Sequence, residues 1–309
     1  MIRFTSESMF EIIQIVKKNL EKEKTCQFEV LNPDLFKSKY AGEIVIIDKK
    51  EYLYRGYKAW QDLAQKLFSR MLTPIKVSEV YVRLEFEKLD LTDSFHNKNS
   101  EKEEKYGVGS TFFEINKNEE PEVLLSYFEA LQNVKIEKRK RILNLGVNTG
   151  EEFEIIESIY DKFPEHEFVG IDYCESAIAF AKDKFKEKTN VKFYAQDINC
   201  LDELALGKFD LIISIGTLQS SNLDFNKTFM DIVQNYLNND GSMILGFPNC
   251  RWIDGEIIYG AKAPNYSFSE MSILYKDAFF CKKYLQQKKF RVTLTGKYYI
   301  FLTATSIRK

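Results

Sequence analysis

The chain has 309 residues, 44% of them hydrophobic and 29% charged, with a formal net charge of −2. That length suits about two domains, and the composition excludes a disordered, collagenous or membrane-embedded chain. Basic and acidic residues number 24 and 24 in residues 1–140, and 20 and 22 in residues 141–309, so neither half offers the broad basic surface that holds nucleic acid.

The first residues lack the basic, apolar and small-residue order of a secretory signal. No run approaches 18 apolar residues. Both points lead to the expectation of a cytoplasmic protein with no membrane partner. Residues 6–24 carry apolar side chains at 9, 10, 12, 13, 16 and 20, the stripe of a helix. Residues 43–48 (EIVIID) predict a strand. Residues 56–72 predict a second helix, with Trp60, Leu63, Ala64, Leu67, Phe68 and Met71 at spacings of three and four and Pro74 as its stop. Residues 79–89 alternate, Val80, Val82, Leu84 and Phe86 against charged neighbours, as a half-buried strand does. Residues 90–110 are polar and read as a loop or hinge. A helix restarts over 119–132, with Pro121 and acidic residues in its first turn. The expected division is a smaller α+β accessory or substrate-recognition domain over 1–120 and a second domain over 121–309.

From Arg141 the pattern changes. RILNLG, EFVGID, VKFYAQD, FDLIISIG and SMILGF are short apolar strands, separated by helical stretches at 151–162, 174–187, about 224–238 and a short one near 201–206. Such alternation predicts βαβ units and a parallel sheet covered on both faces. After a helix over 271–288, RVTLTG and KYYIFLTATSI are so closely linked that they can pair only antiparallel. The fold class is therefore α/β, parallel through five strands and closed by a hairpin with an antiparallel last strand.

Three features stand at the carboxyl ends of the first three strands, where open α/β sheets bind ligands. The first strand runs into a glycine turn, LNLGVNTG, ending at Gly150 and followed by Glu151-Glu152. Asp172 ends the second strand, where a carboxylate can accept both hydroxyls of a ribose. Asp197 follows the third, where it can accept from the exocyclic amine of adenine. The turn is not the GxGxxG of dinucleotide sites, and two glutamates at the helix start repel a pyrophosphate. A cationic sulfonium nucleoside meets no such repulsion.

From about residue 134 to 309 these motifs resemble the class I S-adenosylmethionine-dependent methyltransferases. The likeness rests on LNLGVNTG, GIDYCESAIAFAK, FYAQDI, FDLIISIG and the closing hairpin. It implies a seven-stranded Rossmann-like sheet with S-adenosylmethionine as cofactor and S-adenosylhomocysteine as product. It also implies a cofactor-binding set of Asn144, Gly146, Asn148, Gly150, Asp172, Tyr173, Asp197, Ile198, Ser214 and Gly216. In that set Asp172 holds the ribose, Asp197 meets adenine, Tyr173 and Ile198 flank its ring, and Gly146 to Gly150 lie beneath the methionine part. Two positions depart from the family: Asn144 stands where an acid is usual, and Asn148 where glycine is usual.

Residues 249–270 read as a long loop inserted above the sheet, a usual carrier of substrate contacts. Arg251, Trp252, Tyr259 and Tyr266 are its candidates, with Tyr106 from the hinge. Cys250 in FPNCRW reads as a buried thiol rather than a nucleophile. The five cysteines form no CxxC pair, which points to neither disulfides nor zinc. His96 and His166 read as surface-loop residues, and no metal is expected. The fourth strand ends SIGTLQS, not in the Asn-Pro-Pro-Tyr form used on planar nitrogens. Lys282, Lys283, Lys288, Lys289 and Arg291 form a local basic run. The expected activity is methyl transfer from S-adenosylmethionine to a small molecule, with no catalytic base identified. The alternatives are an RNA or protein acceptor recognised by residues 1–120, and a non-catalytic S-adenosylmethionine-binding regulator suggested by Asn144 and Asn148.

Overall fold

The computed structural model describes residues 1–36, 38–93, 107–220, 222–261 and 269–308. The chain divides into two units, residues 1–97 with 252–258, and residues 98–251 with 259–309.

The first unit begins with β1 (Ile2–Arg3), α1 (Met9–Lys22) and β2 (Thr25–Leu31). Ser8 caps α1: its hydroxyl accepts from the Glu11 N–H and the Glu11 carboxylate accepts from the Ser8 N–H, a capping box. A hairpin of β3 (Ile44–Ile47) and β4 (Lys50–Leu53) leads to α2 (Tyr57–Lys66), β5 (Ser69–Met71), β6 (Ile75–Lys76) and β7 (Tyr81–Lys88). The main sheet runs β1-β2-β7-β5, with β6 also on β7. Phe28, Val30, Leu84 and Phe86 alternate onto one face and pack under Ile12, Val16 and Trp60 of the helices. The other face is charged, with Arg3 on Glu29 at 2.6 Å and Gln27 on Glu85 at 2.8 Å.

The helix expected over 56–72 ends at Lys66. Phe68 adopts a left-handed backbone (φ 50°) and Ser69–Met71 pair with β7. Tertiary pairing has overridden a helical stripe whose last residues serve as a strand. The strand β2 went unpredicted, although Cys26, Phe28 and Val30 alternate with Thr25, Gln27 and Glu29.

The second unit carries α3 (Pro121–Asn133), β8 (Arg141–Leu145), α4 (Glu151–Ile159), β9 (Glu167–Asp172), α5 (Glu175–Lys184), β10 (Val191–Ala195), β11 (Phe209–Ile215), α6 (Phe225–Asp231) and β12 (Leu237–Pro248). Then follow β13 (Cys250–Ile253), β14 (Glu256–Tyr259), α7 (Ser272–Gln287), β15 (Phe290–Thr295) and β16 (Tyr299–Ser306). Seven strands form one sheet in the order β10-β9-β8-β11-β12-β16-β15. The first five are parallel, and β16 runs antiparallel to both its neighbours. This is the expected Rossmann-like sheet, preceded by a smaller α+β region.

Alternate strand residues feed the two faces. Leu143, Ile171, Met243, Leu245 and Leu302 pack beneath Phe229 of α6 and Ala278, Cys281 and Leu285 of α7. On the opposite face Phe168 meets Phe153 of α4, and Phe301 meets Tyr127 of α3. The long helix expected to 238 closes with one π turn over Ile232–Tyr236, and the chain enters β12 directly. The 249–270 insertion is not a plain loop: β13 and β14 form a hairpin that turns at Asp254-Gly255 with φ of 49° and 77°. Asp-Gly is the preferred pair for a turn left-handed at both central residues.

His166 is also not a surface residue. It is 1% exposed, both ring nitrogens lack a partner, and its ring lies 6.1 Å from that of Phe168. Burial, with Lys140 and Lys162 nearby, lowers its pKa below the ordinary histidine value. The unfolded chain therefore binds a proton first as pH falls through ~6.5, and stability is lost below that point. Thermal scans from pH 8 to pH 5 should show a smaller fall in Tm for His166→Phe than for the parent. Equal falls would show that His166 is not the titrating group.

Candidate active site

The turn after β8 is built on left-handed backbone at Gly146, Asn148 and Gly150, with φ of 80°, 45° and 85°. Asparagine tolerates that region better than other side-chain-bearing residues, which lets residue 148 do without glycine. The Gly146 and Val147 N–H groups both donate to the Ile171 carbonyl, at 2.8 and 3.0 Å. Gly146 is required by the chain's own packing, because a Cβ there would stand 2.6 Å from the Thr217 Cβ.

Asp172 anchors this turn. Its Oδ2 accepts from the Asn148 N–H and its Oδ1 from the Cys174 N–H, each at 2.9 Å. Burial raises its pKa, while those backbone donors pull the other way. Asp172 is not the cap of α5; Cys174 occupies that position. The Tyr173 N–H also bears on this carboxylate, and an ionised carboxylate, with about four lone-pair sites, keeps capacity to accept beyond these three backbone donors. Tyr173, the next residue, is 51% exposed and presents an aromatic ring at the strand end.

Asp197 caps a short 3₁₀ stretch, its Oδ1 accepting from the Asn199 N–H at 2.8 Å and the Asn199 Nδ2 at 3.0 Å. Ile198 is half-buried against the core. The Ser214 hydroxyl donates to the Leu145 carbonyl at 3.1 Å and ties β11 to β8. Gly216 (φ 74°) donates its N–H to the Gly246 carbonyl, and a Cβ on it would meet Pro248 Cγ at 3.2 Å.

Tyr106 and Tyr266, like His96, lie outside the described residues. Trp252 belongs to the first unit and Arg251 and Tyr259 to the second. Tyr259 packs toward the β15–β16 link, 6.4 Å from the Tyr298 ring, with its hydroxyl 3.8 Å from Met271 Sδ.

Asn144, a member of the expected cofactor-binding set, lies among buried titratable groups outside that set. Asn144 is 1% exposed; its Nδ2 donates to Glu152 Oε2 at 3.3 Å and its Oδ1 has no partner. Glu152 is 8% exposed, and burial lifts its carboxyl to about 7. Lys117, from a 3₁₀ stretch ahead of α3, lies in the fields of Tyr299, Glu152, Glu151 and Cys250. Burial opposes its charge, but those groups prevail and raise its pKa. Burial likewise pushes Tyr299 and Cys250 up to about 12, so both stay protonated at neutral pH. Among the described residues no three of His, Cys, Asp and Glu are placed to hold a metal ion.

Residues 136–291, half of the chain, match the family described as a methyltransferase domain. The chain belongs to that methyltransferase family. No curated protein matches it in sequence. Solved structures resemble it in fold. Magnesium protoporphyrin IX methyltransferase from Synechocystis PCC 6803, with bound SAM, is 17% identical; the match covers 65% of this chain and 87% of that one at a TM-score of 0.41. Precorrin-6y C5,15-methyltransferase from Geobacter metallireducens GS-15 is 10% identical, with coverage of 58% and 88% and a TM-score of 0.41. The ribosomal protein L11 methylase from Lactobacillus delbrueckii subsp. bulgaricus is 14% identical, with coverage of 60% and 80% and a TM-score of 0.38. The methyltransferase match covers β8 to the start of β15 and leaves residues 1–135 outside.

Proposed function

We propose that this methyltransferase uses S-adenosylmethionine and that its acceptor is a small molecule. The observation that carries the cofactor assignment is Asp172, held at the end of β9 by the backbone amides of Asn148, Tyr173 and Cys174 with accepting capacity left for a ribose hydroxyl. The donor set fits such a group. Asp172, Asp197 and the acidic first turn of α4 (Glu151, Glu152, Glu154) suit a cationic nucleoside and disfavour a pyrophosphate. Tyr173 and Ile198 would flank the base, with Asp197 toward its amine.

S-adenosylmethionine supplies a methyl group on a positively charged sulfur. The chain's part would be to hold donor and acceptor in line, with the turn fixing the donor. Tyr299 and Cys250 remain protonated, so neither removes a proton from the acceptor at neutral pH, and Cys250 is no thiolate nucleophile.

Charge supports the small-molecule reading over a polyanion. The arginines of the N-terminal sheet are already paired, Arg3 with Glu29 and Arg70 with Glu87, Asp254 and Glu256. Residues 1–120 would then serve substrate recognition. Cell extract incubated with methyl-labelled cofactor should place label in the low-molecular-weight fraction. Label lost on nuclease or protease treatment would replace this reading with an RNA or protein acceptor, and cofactor binding with no label anywhere would favour a regulator.

A further inference from the structure

The charges of this chain are unevenly placed. Residues 271–309 hold nine Lys and Arg against a single acid, Asp277, whereas residues 1–270 hold 35 against 45. The basic segment forms α7 and the closing hairpin, at the edge of the seven-stranded sheet opposite β10. Among the described residues none of Lys282, Lys283, Lys289 and Arg291 forms an ion pair.

The sides of α7 have different neighbours. Ala278, Cys281 and Leu285 face the sheet, while Phe280 and Tyr284 meet Phe229 of α6 at 6.0 and 5.7 Å. At about 100° per residue, Tyr275, Phe279, Lys282 and Gln286 fall on the flank away from α6. The α6 helix rests on β12, with Phe225 6.5 Å from Phe247, and α7 reaches on to β16 and β15. That flank therefore overlooks the outer side of β15. Tyr275 and Phe279 are 60% and 55% exposed, and Lys283 Nζ stands 4.7 Å over the Phe279 ring. Below them β15 ends the sheet, and among the described residues its only strand partner is β16. Leu294, in register with Leu302 and so on the α7 face, is 42% exposed. An end strand keeps a row of backbone donors and acceptors for another chain.

We propose that this edge docks an extended acidic segment of a partner protein, which pairs with β15 as an added strand. Such a strand lies ~4.8 Å outward and turns every second side chain toward α7. Apolar residues at those positions cover Phe279 and Leu294. Acidic residues on the other face and at the segment's ends meet Arg291 and the α7 lysines, which have no carboxylate of their own. A second copy of this chain brings only the same cations and is repelled. A nucleic acid leaves the strand edge unused. In sheet order Asp172 on β9 is five strands from β15, roughly 24 Å, so the partner is distinct from the methyl acceptor and independent of the cofactor reading.

Fluorescence anisotropy on the full chain tests this with labelled probes. The first is a nine-residue peptide alternating Val with Glu. The others are its Lys-for-Glu counterpart, two versions N-methylated at one or the other alternate set of backbone nitrogens, and a twelve-nucleotide strand of uridine. The acidic peptide should bind at least tenfold more tightly than the lysine peptide, and should weaken at least fivefold between about 50 and about 300 mM salt. Methylation of one of the two sets should cost at least tenfold, because strand addition uses the amides of one edge. Lys282→Glu with Arg291→Glu should weaken binding at least tenfold, and Tyr275→Ser with Phe279→Ser at least threefold. Thermal scans of these variants separate loss of the surface from loss of the fold, and the methylated peptides need no variant. No binding of the acidic peptide at about 1 mM, or binding indifferent to both methylations, would overturn the proposal. Tighter binding of the uridine strand than of the peptide would also overturn it and make the surface a nucleic-acid one.

Discussion

Asp172→Asn should lower affinity for S-adenosylhomocysteine by up to about 100-fold and also lower the melting temperature. Both effects come from one carboxylate. A charge-assisted bond to a ribose hydroxyl is worth about 1.5–3 kcal/mol, and 100-fold corresponds to roughly 2.8 kcal/mol. The same oxygens hold the Asn148 and Cys174 N–H groups. An amide can present only one oxygen, so one backbone donor would face an NH₂ group. Leaving it buried and unpaired costs about 1–3 kcal/mol of stability. Calorimetry checks the first effect and a thermal scan the second. Unchanged affinity would remove Asp172 from the cofactor site, and an unchanged melting temperature would show that the turn does not depend on it.

Gly146→Ala should destabilise the protein without any ligand present. The residue sits at φ 80°, where a Cβ is strained, at a cost of about 1–3 kcal/mol. That Cβ would also overlap Thr217, 2.6 Å from both its Cβ and its Cγ2. Overpacking of this kind adds about 1–3 kcal/mol. Together these should lower Tm by roughly 10 °C, at ~2–4 °C per kcal/mol for a protein of this size. Thr217→Gly in the same chain removes the overlap but not the backbone strain, so the double variant should recover about half the loss. A single variant that melts with the parent would mean the turn can adopt another path.

The sheet was legible from the sequence because its strands are buried on both faces and so read as unbroken apolar runs, punctuated by Gly146, Gly150 and Asp172. The first unit was less so. Leu67, Phe68 and Met71 continue a helical stripe, and only the approach of β7 turns Ser69–Met71 into a strand. The Asp254-Gly255 hairpin did carry a local signal, hidden inside a segment whose polar and aromatic content suggested a loop. Asn144 and Glu152 were each visible, as a departure and as a source of repulsion. That they face each other depends on how α4 docks on β8, which no spacing in the sequence encodes. Lys117 likewise lay in a segment with no periodic pattern.

The return of residues 252–258 to the first unit constrains the order of assembly. Leu89 is buried there with Ile253 and Ile258, and Phe68 packs against them. Arg70, on the same unit, takes Asp254 and Glu256 as partners. During synthesis the chain emerges from its beginning, so the cluster around Leu89 stays open until residue 258 has been made. By then β8 to β12 already exist. The first-numbered unit is thus not complete until most of the second unit has been made, and a cut after residue 97 would strip it of part of its own core.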